Sequence, residues 1–134
     1  MIFVAPYKHD THYDLMVDGL QQRGAYVTPG DEVPKIGYVG FNGQKFLAMA
    51  FLRRVEGGFG QLDGLVSNPE APGSERHEGI DIVVENVLRT AKELGIKNIT
   101  ATSVDSSTLM RSNKHGFVKL PHTLIAVNTS GDSK

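Results

Sequence analysis

Residues Gly73 to Gly95 read GSERHEGIDIVVENVLRTAKELG, and this stretch decides how the other segments are interpreted. From Ile80 to Leu94 the apolar residues recur at steps of three and four, which places them on one face of a helix. Gly95 follows the last of them, where a residue in the left-handed conformation commonly ends a helix. The pattern therefore predicts a helix over residues 80–94 that packs through one face.

The segment in front of this helix contains Arg76 and Gly79 in the order Arg-x-x-Gly. The first backbone N–H groups of a helix are unpaired and carry partial positive charge, so they can hold a phosphate. Arginine can donate paired hydrogen bonds to a phosphate, and glycine lets a ligand approach the backbone closely. The segment is a candidate phosphate loop, although many glycine-containing loops before helices bind nothing.

Length and composition limit the classes of protein to consider. A chain of 134 residues with 40% hydrophobic and 22% charged residues suits one globular domain, taken as residues 1–128 with a polar tail at 129–134. The formal net charge of −1 gives no sign of general nucleic-acid binding. The absence of cysteine excludes disulfides and thiolate metal sites. With no apolar run long enough for a membrane span, a cytoplasmic location is expected.

Turn residues and apolar alternation predict the other elements. A short strand at Ile2–Ala5 precedes a helix that has Thr11 as its N-cap and runs to about Gln22, and residues 27–34 form a loop. The two glycines of the predicted strand at residues 59–66 suggest a bulge or a close backbone approach. The further predicted elements are strands at residues 35–41, 45–54, 59–66 and 97–104 and strands at residues 117–120 and 123–127. A short helix is predicted between them, capped by Asp105 or Ser106 and ending near Lys114.

This order of elements, together with particular residues, resembles the GNAT superfamily of N-acetyltransferases. The segment Arg76-His77-Glu78-Gly79-Ile80-Asp81 is similar to the family pattern Gln/Arg-x-x-Gly-x-Gly/Ala. Upstream, Val66 and Pro69 stand where the family often has an aliphatic residue and a proline. Downstream, Lys114 and the pair Gly116-Phe117 match as well. The resemblance implies an α/β (α+β) fold with a mixed, mostly antiparallel central sheet and helices on both faces.

The resemblance also implies an activity, in which the amine of an acceptor attacks the thioester of acetyl-CoA directly. Acetyl-CoA would be a cosubstrate, and no metal is needed. The acceptor, a small molecule or a protein, would carry a primary amine. The residues expected to bind the cofactor are Leu65, Val66, Arg76, His77, Glu78, Gly79, Ile80 and Asp81.

Residues for proton transfer are harder to select. Asp63 is the first candidate for the base, because the family often places a carboxylate on that strand. Glu56 is the runner-up, and His77 and His115 have a suitable intrinsic pKa. Ser112 is the candidate donor to the leaving sulfur. His9 and His12 are three residues apart, but no third metal ligand accompanies them in the sequence.

Three positions depart from the family pattern, and one of them is Asp105, which stands where many members have an asparagine. Asp81 stands where glycine or alanine is usual, and Ser112 stands where many members have a tyrosine. A carboxylate at residue 81 is expected to lie near the pyrophosphate. These residues keep an alternative open, a catalytically impaired acyl-CoA-binding or protein-interaction module on the same fold. Asp31 and Glu32 could attract a cationic acceptor, and both a monomer and a homodimer fit the sequence.

Overall fold

The computed structural model describes residues 1–102, 112–121 and 126–127. The chain forms two compact units, Met1–Thr102 and Ser103–Lys134. The elements of the first unit, in chain order, are β1 (Ile2–Pro6), α1 (His9–Gln22), β2 (Ile36–Asn42), β3 (Lys45–Val55), β4 (Phe59–Ser67), α2 (Gly73–Glu93) and β5 (Asn98–Thr100). A single 3-10 turn, Gly30–Glu32, lies in the segment between α1 and β2.

The strands follow one another in the sheet in the same order as in the chain, β1-β2-β3-β4-β5. The pairs from β1 to β4 are antiparallel, and β5 is parallel to β4. A parallel pair needs a crossover connection, and α2 provides it. The sheet is therefore mixed and mostly antiparallel, as the sequence predicted.

The two helices cover opposite faces of the sheet. On one face Met16 of α1 packs with Val39, Met49 and Phe51. On the other face Val83 and Val87 of α2 pack against small and branched residues of the central strand. The central strand β3 contributes to both clusters, which explains why its sequence is apolar without the usual alternation. The predicted helices on both faces are confirmed.

Helix α2 begins at Gly73, so the prediction of a start at Ile80 was wrong. Pro72 precedes the first helical residue, and its fixed backbone angle suits a helix start. The N–H of Arg76 donates to the carbonyl of Pro72 at 2.9 Å. Gly79 therefore lies inside the helix, where a Cβ would be 2.6 Å from the Cβ of Leu47 on β3. Gly79 therefore allows α2 to pack closely on the sheet, and it is not part of a phosphate-binding loop.

In the first unit, the other element boundaries lie closer to their predicted positions than the start of α2 does. Helix α1 begins at His9, and its N-cap residue Lys8 makes no side-chain cap hydrogen bond, so Thr11 is not the cap. In the second unit, residues 113–115 form a 3-10 turn that ends at Gly116, which has a φ of 89°.

Several predictions concern the second unit. The predicted strand at residues 117–120 is not formed, and no described strand pairs with that segment. The predicted start of the short helix at Asp105 or Ser106 and most of the predicted strand at 123–127 lie outside the described residues. Within the described chain, neither helix combines the length and apolar character needed to cross a membrane.

An ion pair joins the start of α2 to the turn between β2 and β3. Nζ of Lys45 lies 3.0 Å from Oε1 of Glu75, and Nδ2 of Asn42 donates to the same oxygen at 3.2 Å. The hydrogen bond from Lys45, followed by that from Asn42, holds the pKa of Glu75 below its ordinary value. A carboxyl with a lowered pKa in the folded state stabilises the fold above its unfolded pKa, and this contribution is lost in acid.

We therefore expect Glu75→Gln to lower the urea midpoint at neutral pH. The difference from wild type should disappear as the pH falls through the pKa of Glu75 in the folded protein. Glu85→Gln, which changes an exposed acid on the same helix, is the control and should show little difference at either pH. An effect of Glu75→Gln that persists unchanged in strong acid would contradict the assignment.

Candidate functional site

The backbone of β4 bulges near its middle. Met49 of β3 lies opposite Val66, whereas Phe51, two residues on, lies opposite Asp63. Strand β4 therefore uses one more residue than β3 over this step, which is a β-bulge. Gly64 lies in the bulge with a φ of 63°, a conformation that residues with a side chain rarely adopt. The bulge suggested by the glycines of this strand is confirmed.

The ring of Phe51 packs against the bulge on the face of the sheet that α1 covers. Its side chain is fully buried on the α1 face, and the ring of Tyr7 contacts its edge with a centroid distance of 4.7 Å. A Cβ on Gly64 would be 2.8 Å from Cδ1 of this ring, and one on Gly37 would be 2.3 Å from Cδ2. The ring thus fills the space that side chains on the neighbouring strands would need.

From Leu62 through the bulge to Ser67, the β5 side of β4 has no partner strand in the described part of the chain. Strand β5 pairs with β4 only over Phe59–Gln61. From Leu62 to Ser67, β4 is paired with β3 on its other side. Backbone hydrogen-bonding groups along this half of the strand can accept a ligand that lies alongside it, in the manner of an added strand.

A short loop leads from this strand to α2, and Asn68 fixes its path. The N–H of Asn68 donates to the carbonyl of Leu47 at 2.8 Å, and its Nδ2 donates to the carbonyl of Phe46 at 2.9 Å. Its Oδ1 accepts the N–H of Glu70 at 2.9 Å. These contacts attach the loop to β3 and determine where α2 starts.

The start of α2 presents unpaired backbone donors. Gly73, Ser74 and Glu75 are its first three residues, and their N–H groups have no carbonyl one turn earlier in the helix. Pro72 offers no side-chain cap, and residues 72–74 are exposed. Nη1 of Arg76 donates to the carbonyl of Ala71 at 2.9 Å, which holds its guanidinium beside this first turn. The guanidinium of Arg76 and the unpaired N–H groups of the first turn therefore lie close together, which favours the binding of an anion.

The predicted cofactor residues occupy two of these regions. Leu65 and Val66 lie in and after the bulge, and the side chain of Val66 is buried against α1. The residues from Arg76 to Asp81 lie within the first turns of α2. Backbone amides at 77–81 are therefore inside the helical hydrogen-bond ladder, and the free amides are those of residues 73–75. Asp81 is about 12 Å along the helix axis from Gly73.

Asp63, the first candidate for the base, adjoins the bulge on the α1 face. Its Oδ1 accepts the N–H of Gly64 at 2.8 Å. Its Oδ2 accepts Nε of Arg53 at 2.9 Å and lies 2.8 Å from Nη2 of the same residue. Nη2 also donates to the carbonyl of Glu32 at 3.1 Å.

The other candidates for proton transfer are dispersed. Glu56 lies in the turn before β4, at the end of that strand away from the bulge. His77 is exposed on α2, close to the free amides. His115 and Ser112 belong to the second unit.

Tyrosine and histidine rings meet at the start of α1. The hydroxyl of Tyr7 is hydrogen-bonded to Nδ1 of His9 at 2.9 Å, and Nδ1 of His12 accepts the N–H of Lys8 at 2.9 Å. Burial lowers the pKa of His12 and raises the pKa of Tyr7. His12 is thus a neutral, hydrogen-bonded core residue and is not arranged as a metal ligand with His9.

Sequence reasoning missed Asn68 and the free amides of residues 73–75. Asn68-Pro69 is a turn signal, and Pro72 followed by Ser74-Glu75 is a recognisable helix start. The periodic apolar residues begin only at Ile80, so periodicity predicts a helix start seven residues after the true one at Gly73. Gly79 reinforced the error, because a glycine can indicate either a loop or a close contact.

Comparisons with known proteins concern the fold. No protein-family sequence model matches the chain, and no curated protein sequence matches it. A GNAT-family acetyltransferase from Streptococcus pneumoniae, SP0256, superposes with a TM-score of 0.72 at 16% identity, covering 97% of this chain and 100% of that chain. Rv2747 from Mycobacterium tuberculosis, solved in complex with CoA, gives 0.74 at 13% identity, covering 92% of this chain and 76% of that chain.

A third solved structure is similar over nearly the same length. Glucosamine-6-phosphate N-acetyltransferase from Arabidopsis thaliana superposes with a TM-score of 0.69 at 11% identity, covering 95% of this chain and 98% of that chain. At identities this low, the likeness concerns the path of the backbone and not the chemistry of individual side chains.

Proposed function

Since the chain has the fold of the GNAT N-acetyltransferases, we propose that it transfers an acetyl group from acetyl-CoA to a primary amine. One observation carries the proposal. The bulged strand β4 has no described strand on its β5 side beyond Gln61, and it leads through a five-residue loop, Asn68–Pro72, to the uncapped start of α2. An extended ligand with an anionic end fits this arrangement, and CoA has both an extended amide-containing arm and a diphosphate.

We propose cofactor contacts in two places, the start of α2 and the bulge of β4. The diphosphate would accept hydrogen bonds from the amides of Gly73, Ser74 and Glu75, with the guanidinium of Arg76 beside them. The pantetheine arm would lie along Leu65 and Val66, where backbone groups can pair with its amides. CoA is bound in the solved complex of Rv2747.

The transfer needs three further contributions. The neutral amine attacks the thioester carbon, the carbonyl oxygen becomes negative, and the thiolate leaves as the amide forms. The amide N–H of Val66 is the proposed donor to that oxygen. The amine proton leaves to water or to a carboxylate, for which Asp63 is the candidate predicted from the sequence. Ser112 stays the predicted donor to the leaving sulfur.

Alignment of the reactants supplies much of the rate in such a reaction. Asp31 and Glu32, both exposed, give the neighbouring turn a negative character that suits a cationic acceptor. The name of the Arabidopsis protein identifies a phosphorylated amino sugar as its acceptor. For this chain we propose only the primary amine as the shared chemistry.

The first experiment is a calorimetric titration with acetyl-CoA and with CoA. Ser74→Glu adds a carboxylate at the exposed start of α2, where it stabilises a helix yet repels a phosphate. We expect it to weaken binding of both ligands roughly tenfold or more without unfolding the protein. Gln21→Glu adds the same charge at an exposed position of α1 and should leave both affinities unchanged.

Turnover is then measured with a panel of amines, including spermidine, glucosamine-6-phosphate and a peptide with a free amino terminus. The chain contains no cysteine, so a thiol reagent in the assay reports only the CoA that is released. Binding with turnover supports the transferase. Binding without turnover of any amine would instead indicate an acyl-CoA-binding module, and no binding by the wild type would overturn the proposal.

A further inference from the structure

We infer that Arg53 is a positioning residue that ties the turn Gly30–Glu32 to the bulge of β4, and that Asp63 is the other half of this link and not the base. The inference rests on the proposed function, because it concerns how the bulge is presented to acetyl-CoA. The guanidinium of Arg53 joins two groups, the carboxylate of Asp63 and the carbonyl of Glu32.

The side chain of Arg53 spans two segments that are far apart in the chain. Its Nε donates to Oδ2 of Asp63 at 2.9 Å, and Nη2 lies 2.8 Å from the same oxygen. Nη2 also donates to the carbonyl of Glu32 at 3.1 Å. The rigid fork of an arginine can satisfy both partners at once, whereas the point charge of a lysine cannot reproduce that geometry.

The carboxylate of Asp63 already uses both of its oxygens. Oδ2 is held by Arg53, and Oδ1 accepts the N–H of Gly64 at 2.8 Å. A base must offer a lone pair to the acceptor amine, and a carboxylate engaged by a guanidinium and an amide is poorly disposed to do so. The contact instead holds Gly64 in its left-handed conformation. The orientation of Gly64 in turn sets the direction of the amides of Leu65 and Val66, which follow it in the chain.

The other end of the link is anchored in the α1 side of the fold. A Cβ on Gly30 would be 3.3 Å from Nε2 of His9, so this end of the turn packs on the imidazole. Val33, directly after the turn, packs against the core that contains Phe51. The turn, Arg53, Asp63 and the bulge therefore form one connected path over the α1 face. A displacement of the turn should therefore change the backbone position of the bulge.

This link contributes little to global stability. The side chains of Arg53 and Asp63 are each 42% exposed, and ion pairs this accessible to water are weak. Its effect should consequently appear in local geometry, while the thermal midpoint of the protein stays nearly constant when the link is broken. A local change with an unchanged thermal midpoint indicates a positioning role, whereas a lowered thermal midpoint indicates a structural one.

The test uses the full chain with the variants Arg53→Met, Arg53→Lys and Asp63→Ala, and with Arg54→Met as the control. Arg54 is exposed and adjoins Arg53 in β3, where alternation directs it to the other face. Two quantities are measured, the ratio of the Kd values for acetyl-CoA and CoA, and amide hydrogen exchange at residues 30–33 and 64–66.

We expect Arg53→Met and Asp63→Ala to weaken acetyl-CoA binding about five- to tenfold relative to CoA. Both ligands have the pantetheine amides, but only acetyl-CoA carries the thioester carbonyl that the amide of Val66 would hold. Exchange should accelerate at both segments together. Arg53→Lys should recover part of both effects, and Arg54→Met should show neither. A base acts on the acceptor amine, so loss of a base would leave the ratio of affinities unchanged.

An unchanged ratio together with unchanged exchange in Arg53→Met and Asp63→Ala would overturn the inference. If the wild type binds neither CoA nor acetyl-CoA, the proposed function fails and hydrogen exchange alone decides the link. Joint acceleration at the two segments would then support it, and acceleration at one segment alone would refute it.

Discussion

Gly64→Ala should destabilise the fold and abolish acetyl-CoA binding. Two independent costs combine at this residue. A left-handed conformation costs a residue with a Cβ roughly 1–2 kcal/mol. The new Cβ would also be 2.8 Å from Cδ1 of Phe51, whose fully buried ring cannot retreat because Gly37 contacts its other side. Overpacking of this kind costs about 1–3 kcal/mol, so the two costs together are a large share of the stability of about 5–15 kcal/mol typical of a domain.

Gly43→Ala is the matched control for this variant. Gly43 also has a positive φ, 62°, but a Cβ there would meet nothing within 4 Å. It reports the conformational cost alone, so the difference between the two variants in urea unfolding measures the contact with Phe51. Equal losses in both variants would show that the ring does not support the bulge. Retained acetyl-CoA binding in a folded Gly64→Ala protein would remove the bulge from the site.

Gly79→Ala should also destabilise the protein, although alanine is the better helix former. Replacing a helical glycine by alanine ordinarily gains about 1 kcal/mol. Here the added Cβ would lie 2.6 Å from the Cβ of Leu47, an atom that no change of rotamer can move. Helix α2 would have to shift away from β3, and we expect a net loss of about 1–3 kcal/mol in the free energy of unfolding.

Gly73→Ala provides the comparison on the same helix. A Cβ at residue 73 would have Nη2 of Arg76 as its nearest neighbour, at 3.8 Å, which is ordinary contact. Its stability should equal or slightly exceed that of the wild type in urea unfolding. If Gly79→Ala were the more stable variant of the two, the close packing of α2 on Leu47 would be wrong.

The sequence predicts the sheet better than the site. Strands β2 and β3 are recognisable because Asn42-Gly43 is a strong hairpin signal, and two glycines inside β4 indicate the bulge. The start of α2 is not recoverable from apolar periodicity, since its first turns at residues 73–79 face solvent apart from Gly79 and a few half-buried side chains. Propensity at exposed helix ends is too weak to set a boundary.

The link through Arg53 shows a second limit of sequence reasoning. Arg53 lies opposite Gln61 in the ladder, and it reaches Asp63 only diagonally. The register is regular from Val55–Phe59 to Phe51–Asp63, so the turn sets it and the bulge does not. Which diagonal neighbours then form a hydrogen bond depends on side-chain rotamers, and a sequence does not reveal these. The contact with the carbonyl of Glu32 depends in addition on the path of a loop.

The arrangement of strands in chain order has a consequence for the kinetics of folding. Each antiparallel pair from β1 to β4 joins consecutive strands, and only the pairing of β5 with β4 spans α2. Pairings between segments close in sequence lose little entropy on loop closure and tend to form early. We expect the hairpins of residues 36–67, with Phe51 beneath Gly64, to assemble before the crossover docks. The rigid part of the site would then exist in the nascent chain before the helix that supplies its phosphate end.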